Sequence, residues 1–349
     1  MHTIEWDDRN NHLCMIDQRL LPAEFKVVTL TDYLQVAEAI RNMTVRGAPA
    51  IGATAAFGLA LAAQQSKASE PAALRADLEL AARILEAARP TAINLRWAIK
   101  RVMTIINTTD RGVGELRQIA LQEAQRIADE DVETNLRIAR VGAPLIDNGD
   151  TIIHHCNTGS LATVDWGTAL GVIRMAHDQG KNIHVLVDET RPRLQGARLT
   201  AWELDQYGIS YEVISDNAAG HFLQTGQVNK VFFGGDRVAA NGDVANKIGS
   251  YMLALAARDN RVPVYSVVPT STIDLTLASG KLIPIEERDP GEVLHLELDG
   301  KPVMPPNARA RNPAFDVTPH RLLSAIITEN GVIYPPFKSN LVRIFQKYA

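Results

Sequence analysis

Thr151-Ile152-Ile153-His154-His155-Cys156-Asn157-Thr158-Gly159 is the stretch on which the fold turns. An apolar, β-branched run meets a thiol and a Cys-Asn-Thr-Gly turn, and helix-forming sequence follows. A buried strand that breaks into a turn and then a helix opens an α/β unit, whose ligands gather beyond the carboxyl ends of the strands. The arrangement repeats downstream. Ile- and Val-rich runs at 183–187, 211–214, 231–233 and 262–268 alternate with helical patterns at 163–179, 196–207 and 245–257. This alternation predicts a parallel, doubly wound sheet. The runs end in Cys156, Asp188-Glu189, Asp216, Asp236 and Pro269, which collects reactive and polar groups along one edge.

Upstream the pattern changes. After a short opening segment of strands, apolar residues recur at helical spacing over 33–43, 49–63, 74–88, 95–106 and 113–138. The 349 residues suffice for two domains. The fold class expected is α/β. A mainly helical N-terminal domain with short opening strands spans 1–145, and a Rossmann-like, doubly wound parallel-sheet domain spans 146–349. A Pro-rich excursion at 302–313 precedes a last expected helix at 320–327.

Composition narrows the function. Hydrophobic residues at 46%, charged residues at 22% and a net charge of −4 describe an ordinary globular protein and argue against a broad nucleic-acid surface. Two cysteines in a chain of this size predict a reducing compartment. The N-terminal residues lack an apolar signal core, and the apolar stretch 48–63 is short for a membrane span and broken by Gly52 and Gly58. A cytoplasmic protein with no membrane partner is expected.

Several segments offer chemistry. In Val45-Arg46-Gly47-Ala48-Pro49-Ala50-Ile51-Gly52, Pro49 suits the first turn of a helix, so Arg46 stands beside free N–H groups. That fits a phosphate cradle, and it also fits a capped helix with a surface arginine. Arg89, before Pro90, fits a second phosphate ligand or a group that satisfies the carbonyls of a helix end. Cys156 fits either a buried hydrophobe or a reactive thiol. A metal on His154, His155 and Cys156 is disfavoured, because neighbours on a strand point to opposite faces. In the Asp188–Gly196 stretch, Glu189 and Arg191 are expected to pair, and Gln195 to reach a sugar hydroxyl. Gly159, Gly167 and Gly171 do not make the G-x-G-x-x-G spacing, which excludes a nicotinamide cofactor. Asp236 follows an apolar strand; partial burial would raise its pKa and suit it to general-acid work. Asn246 and Lys247 are expected to open the next helix.

Together, the Arg-Gly-Ala-Pro-Ala-Ile-Gly segment from Arg46, the Arg89–Leu95 motif, Cys156–Gly159, the run from Glu189 to Leu204 and the run from Gly234 to Gly249 resemble the methylthioribose-1-phosphate isomerases. Their fold is shared with the regulatory subunits of eukaryotic initiation factor 2B. The resemblance runs over nearly the whole chain, with Gly235 and Ser160 where alanine is common. It implies an aldose–ketose isomerase of methionine salvage that works without a cofactor and usually as a homodimer. It further implies Asp236 as proton donor and Cys156 at the reacting carbon. Arg46, Gly47, Ala48, Arg89, Gln195, Asn246 and Lys247 would bind a sugar phosphate. The alternatives are an isomerase of another pentose 1-phosphate, such as 5-deoxyribose 1-phosphate or ribose 1,5-bisphosphate, and a non-catalytic regulatory subunit.

Overall fold

The computed structural model describes residues 1–90 and 92–348. Thr91, inside the Arg89–Leu95 motif, and Ala349 lie outside the described residues. The chain divides into two compact units: Met1–Asn135 with Gly159–Gly167, and Leu136–Thr158 with Thr168 onward. The division falls inside a helix, between Asn135 and Leu136, and the nine residues Gly159–Gly167 belong to the first unit.

The first unit opens with a three-stranded antiparallel sheet, β1 (Ile4–Asp7), β2 (His12–Ile16) and β3 (Val27–Leu30). Helices α1 (Tyr33–Arg41), α2 (Ala48–Gln65), α3 (Pro71–Ala88), α4 (Ile93–Thr108) and the start of α5 (Val113–Gly142) follow. The centre is α2. It is rich in alanine, leucine and glycine on all sides and is buried on all sides, as such a composition requires. Trp6 stacks on its Phe57 with ring centroids 5.7 Å apart. Helix α3 instead buries one stripe, Leu74, Leu78, Ala81, Ala82 and Leu85, at helical spacing.

The second unit contains β4 (Thr151–His155), α6 (Ala169–Asp178), β5 (His184–Asp188), α7 (Ala201–Tyr207), β6 (Ser210–Ile214), α8 (Ala219–Gln224) and β7 (Lys230–Phe233). Then come β8 (Arg237–Ala239), β9 (Val244–Lys247), α9 (Ser250–Asp259), β10 (Val264–Val267) and β11 (Ile273–Asp274). Last are α10 (Gly291–Leu294), β12 (Glu297–Leu298), β13 (Lys301–Pro302), β14 (Phe315–Thr318), β15 (Ala325–Thr328), β16 (Gly331–Ile333) and α11 (Phe337–Tyr348).

Seven strands form the main sheet in the order β16-β15-β10-β7-β4-β5-β6. All neighbours are parallel except β16. Separate apolar clusters cover the two faces, one holding Ile153, Leu186 and Phe233, the other Ile152, Val185 and Phe232. Burial on both faces explains why these strands read as continuous apolar runs. The six parallel strands follow the Rossmann order: the sequence steps outward from β4 to β5 and β6, then restarts at β7 on the other side. The reversal point lies between β4 and β7. No helix among the described residues is long and apolar enough to cross a membrane.

Three expected helices are corrected. The pattern at 163–179 becomes helical only at Ala169, because Trp166 and Gly167 have φ of 68° and 83°. The first part of 245–257 is the strand β9, and helix begins at Ser250. At 320–327, a short turn leads into β15, parallel to β10. Helices α8, α10 and α11 lie outside the expected ones; the longest, α11, follows Pro335-Pro336 and buries Phe337 and Leu341.

Candidate functional site at the strand-order reversal

Cys156 is the first residue beyond β4. It is buried and holds φ of 68°, in the left-handed region that few side-chain-bearing residues adopt. Its N–H donates to Thr190 Oγ1 at 2.9 Å, and its carbonyl accepts from Thr200 Oγ1 at 2.7 Å. The next residue is fixed as firmly. Asn157 Nδ2 donates to Glu203 Oε1 at 2.8 Å and to Thr200 Oγ1 at 3.2 Å. Glu203, fully buried on α7, also accepts from the Tyr207 hydroxyl.

Asp236 follows the adjacent strand. His155 on β4 is in register with Phe233 on β7, so Cys156 stands level with Gly234, two residues before Asp236. Thiol and carboxylate thus come from neighbouring strand ends at the reversal of strand order, where open α/β sheets hold ligands. The expected partial burial of Asp236 is corrected: the residue is exposed. After Gly234-Gly235 the chain leaves the sheet, and the Asp236 N–H donates to the Ala245 carbonyl at 2.8 Å just before β8.

Asn246 and Lys247 lie on β9, opposite Asp316 and Phe315 of β14. Lys247 Nζ donates to the Ala314 carbonyl at 2.9 Å and sits 4.7 Å from the Phe315 ring centroid. Asn246 Nδ2 donates to Ser250 Oγ at 2.8 Å. The start of α9 already has its anion, since Asp316 accepts from the N–H groups of Gly249 and Tyr251.

Gln195 is buried, and its Oε1 has no hydrogen-bond partner among the described residues. Gly196 after it must be glycine, because a Cβ there would lie 1.7 Å from the Asp188 carbonyl oxygen. The expected Glu189–Arg191 pair is corrected: Arg191 donates to the carbonyls of Pro192 and Val293. Asp216 braces this loop instead, with one carboxylate oxygen on the Thr190 N–H and the other on the Arg191 N–H, both at 2.7 Å.

In the first unit, Gly47 caps α2 with φ of 93°. A Cβ on it would fall 2.2 Å from the Ala162 carbonyl oxygen, so the position has room for glycine alone. Arg46 is half-buried before the helix, Ala48 is its exposed first residue, and Arg89 is half-buried at the end of α3. The 159–167 loop is tied to the same unit. The Val164 carbonyl accepts from the Thr3 N–H at 2.9 Å, and the Val164 N–H donates to Asp131 at 2.7 Å. Burial pushes the Asp131 carboxyl up to about 7, against the lowering effects of the Val164 N–H and Asn135.

Beneath Cys156 the two histidines diverge. His154 bonds Thr158 Oγ1 at 2.9 Å, and burial pushes it down to about 3, which keeps it neutral. His155 Nδ1 meets Asp188 Oδ2 at 2.7 Å, and Nε2 meets the Ile248 carbonyl at 2.9 Å. Burial opposes its charge most strongly, but Asp188, Asp216 and the Ile248 carbonyl together hold His155 above its usual value. Ligand atoms of His155, Asp188 and Asp216 lie within 4.8 Å of one another, the spacing of a metal cluster. Both ring nitrogens of His155 are nevertheless engaged, and a carbonyl can only accept. The arrangement reads as a buried imidazolium–carboxylate pair.

Fold and site define an α/β protein of Rossmann strand order with a thiol and a carboxylate at its switch point. The initiation factor 2 subunit family matches residues 44–335. A methylthioribose-1-phosphate isomerase of Acetivibrio thermocellus is 50% identical over 333 residues, 95% of this chain and 97% of the relative. The structure of 5-methylthioribose 1-phosphate isomerase from Pyrococcus horikoshii OT3 superposes with a TM-score of 0.94 at 49% identity, covering 99% and 96% of the two chains. A structure named translation initiation factor eIF-2B subunit delta, from A. fulgidus, gives 0.91 at 41% identity over 99% of each chain. The chain belongs to the initiation factor 2 subunit family and, within it, to the methylthioribose-1-phosphate isomerases.

Sequence reasoning missed Thr190, Thr200 and Glu203 as the residues that hold Cys156 and Asn157. Glu203 had a readable signal, a carboxylate on the apolar face of a helix rich in Leu, Ala and Trp. The threonines had none, since their partners lie 34 and 44 residues away.

Proposed function

We propose that the chain converts 5-methylthioribose 1-phosphate to 5-methylthioribulose 1-phosphate, an aldose–ketose isomerisation in methionine salvage. The observation that carries this reading is the register of β4 with β7, which sets Cys156 and Asp236 beyond two adjacent strands. The phosphate on C1 prevents simple opening of the sugar ring, so an acid is needed. Asp236 protonates the ring oxygen, the bond from C1 to that oxygen breaks, and C1 becomes electron-poor. Exposure of Asp236 suits a group that must recover its proton from water.

The hydrogen on C2 then moves to C1. In one route Cys156, as thiolate, removes it as a proton, giving an enol phosphate; the proton then returns to C1 while the C2 hydroxyl loses its own proton and becomes the ketone. In the other it migrates as hydride inside a pocket that Cys156 keeps dry, while the C2 hydroxyl loses its proton. Arg46, Gly47, Ala48, Arg89, Gln195, Asn246 and Lys247 bind the substrate, with the orphaned Gln195 Oε1 accepting from a sugar hydroxyl. Neither route calls for a metal or organic cofactor. The working state is a cytoplasmic homodimer.

Assay of the purified protein with 5-methylthioribose 1-phosphate, 5-deoxyribose 1-phosphate and ribose 1,5-bisphosphate tests the reading. The highest kcat/KM is expected for the methylthio sugar, and a higher value for either competitor overturns it. Turnover in D₂O separates the routes, because solvent deuterium at product C1 marks the enol phosphate. The A. fulgidus neighbour's name favours a second reading, a regulatory subunit. That role has no use for a thiol and an acid at paired strand ends, and absence of turnover on all three sugars would revive it.

A further inference from the structure

Cys156 is not the only strained residue at these strand ends. Thr190, two residues beyond β5, holds φ of 63° and is fully buried. A β-branched residue in the left-handed region persists only where its surroundings over-determine it. Here they do. The Thr190 N–H donates to Asp216 Oδ1 at 2.7 Å, its carbonyl accepts from the Leu194 N–H at 2.8 Å, and its hydroxyl donates to the Asp188 carbonyl at 3.0 Å. The result of this conformation is the place of one oxygen. Thr190 Oγ1 lies 2.9 Å from the Cys156 nitrogen and accepts its N–H, bridging the ends of neighbouring strands β4 and β5. Thr200 holds the carbonyl on the other side of the same residue at 2.7 Å. Both backbone polar groups of Cys156 are thereby clamped, and with them the direction of its Cα–Cβ bond.

We propose that Thr190 is a positioning residue for Cys156: its hydroxyl holds the thiol-bearing residue in the left-handed conformation that aims Sγ for hydrogen transfer. The proposal rests on the reading of Cys156 as the group at the reacting carbon. The Thr190 hydroxyl is committed to the Cys156 N–H and the Asp188 carbonyl, so its role runs through Cys156. A hydroxyl is required because the Cys156 N–H needs an acceptor and the Asp188 carbonyl a donor, and a methyl group of the same size supplies neither. Strain at adjacent strand ends is then part of how the site is pre-organised rather than a by-product of folding.

Three variants test this in the full-length protein: Thr190→Val keeps the shape and loses the hydroxyl, Thr190→Ser keeps the hydroxyl, and Thr190→Gly loses the hydroxyl but is at ease at positive φ. The glycine variant is the one that folds if valine does not. Measured are kcat and KM for 5-methylthioribose 1-phosphate. Alkylation of Cys156 by iodoacetamide from pH 6 to 10, without substrate and in a Cys14→Ser background, is followed alongside. Misaimed groups in an enzyme site cost on the order of 10–100-fold in rate. A kcat loss of about that size is expected for Thr190→Val and Thr190→Gly, with KM changed less than about threefold and a displaced alkylation profile. Thr190→Ser should stay within about threefold of the parent on both measures. Near-parental kcat and alkylation in either hydroxyl-less variant, or equal losses in all three, would overturn the proposal. Because alkylation needs no substrate, it still reports on Thr190 if the assigned reaction proves wrong.

Discussion

The two strand ends that flank the reversal point are built in opposite ways. Beyond β4, Cys156 is buried, conformationally strained and clamped by Thr190 and Thr200, with Asn157 locked on Glu203. Beyond β7, two glycines lead to an Asp236 that is exposed and whose N–H starts the next strand pair. The difference matches two tasks. A group acting at carbon gains from fixed geometry, whereas an acid that donates a proton and regains it gains from access to water.

Activity gives the largest effects. Cys156→Ala and Asp236→Asn should each lower kcat by about 10²–10⁴-fold. Near-parental turnover by Cys156→Ala would break the comparison at its fixed end. Stability sharpens it next. Asp188→Asn takes from buried His155 the carboxylate it is hydrogen-bonded to, at a cost of about 3–5 kcal/mol in urea unfolding. Asp236→Asn, on the exposed side, should stay within about 0.5 kcal/mol of the parent. Similar losses in both would show that the two ends are equally built in.

The smallest effect depends on pH and concerns the loop after Cys156. The folded-state value for Asp131, about 7, lies above its unfolded value of 3.8. The folded state therefore holds the extra proton between those values. The associated stability is complete below pH 4 and is lost as pH rises through 7. Between pH 5 and pH 8 the parent should lose on the order of 2 kcal/mol relative to Asp131→Asn. Parallel stability–pH curves for the two proteins would contradict this origin.

Much of this was legible in the sequence where chemistry coincided with local pattern. The parallel strands announced themselves as apolar runs, and the residues beyond them were the ones with functional groups. What escaped was non-local. Val244–Lys247 is too short and too mixed in character to separate strand from helix, and its pairing with Phe315–Thr318 lies some seventy residues away. Ala325–Thr328 was misread for the same reason. Helix α11 was overlooked although Phe337, Leu341 and Phe345 recur at helical spacing straight after two prolines. For the site, sequence gave the residues with reactive groups but not their supports, because threonine hydroxyls carry no signal until strands are aligned.

The nine residues 159–167, which belong to the first unit although both flanks belong to the second, constrain the order of events during synthesis. Domains generally fold as units and N-terminal first as the chain emerges. Here the first unit cannot be completed when its helices have been made. It must wait until residue 167 is out, by which time β4 and Cys156 have already emerged without the neighbouring strands β5 and β7. The ribosome thus releases the thiol-bearing strand as an unpaired edge, and everything that later clamps Cys156 arrives after it.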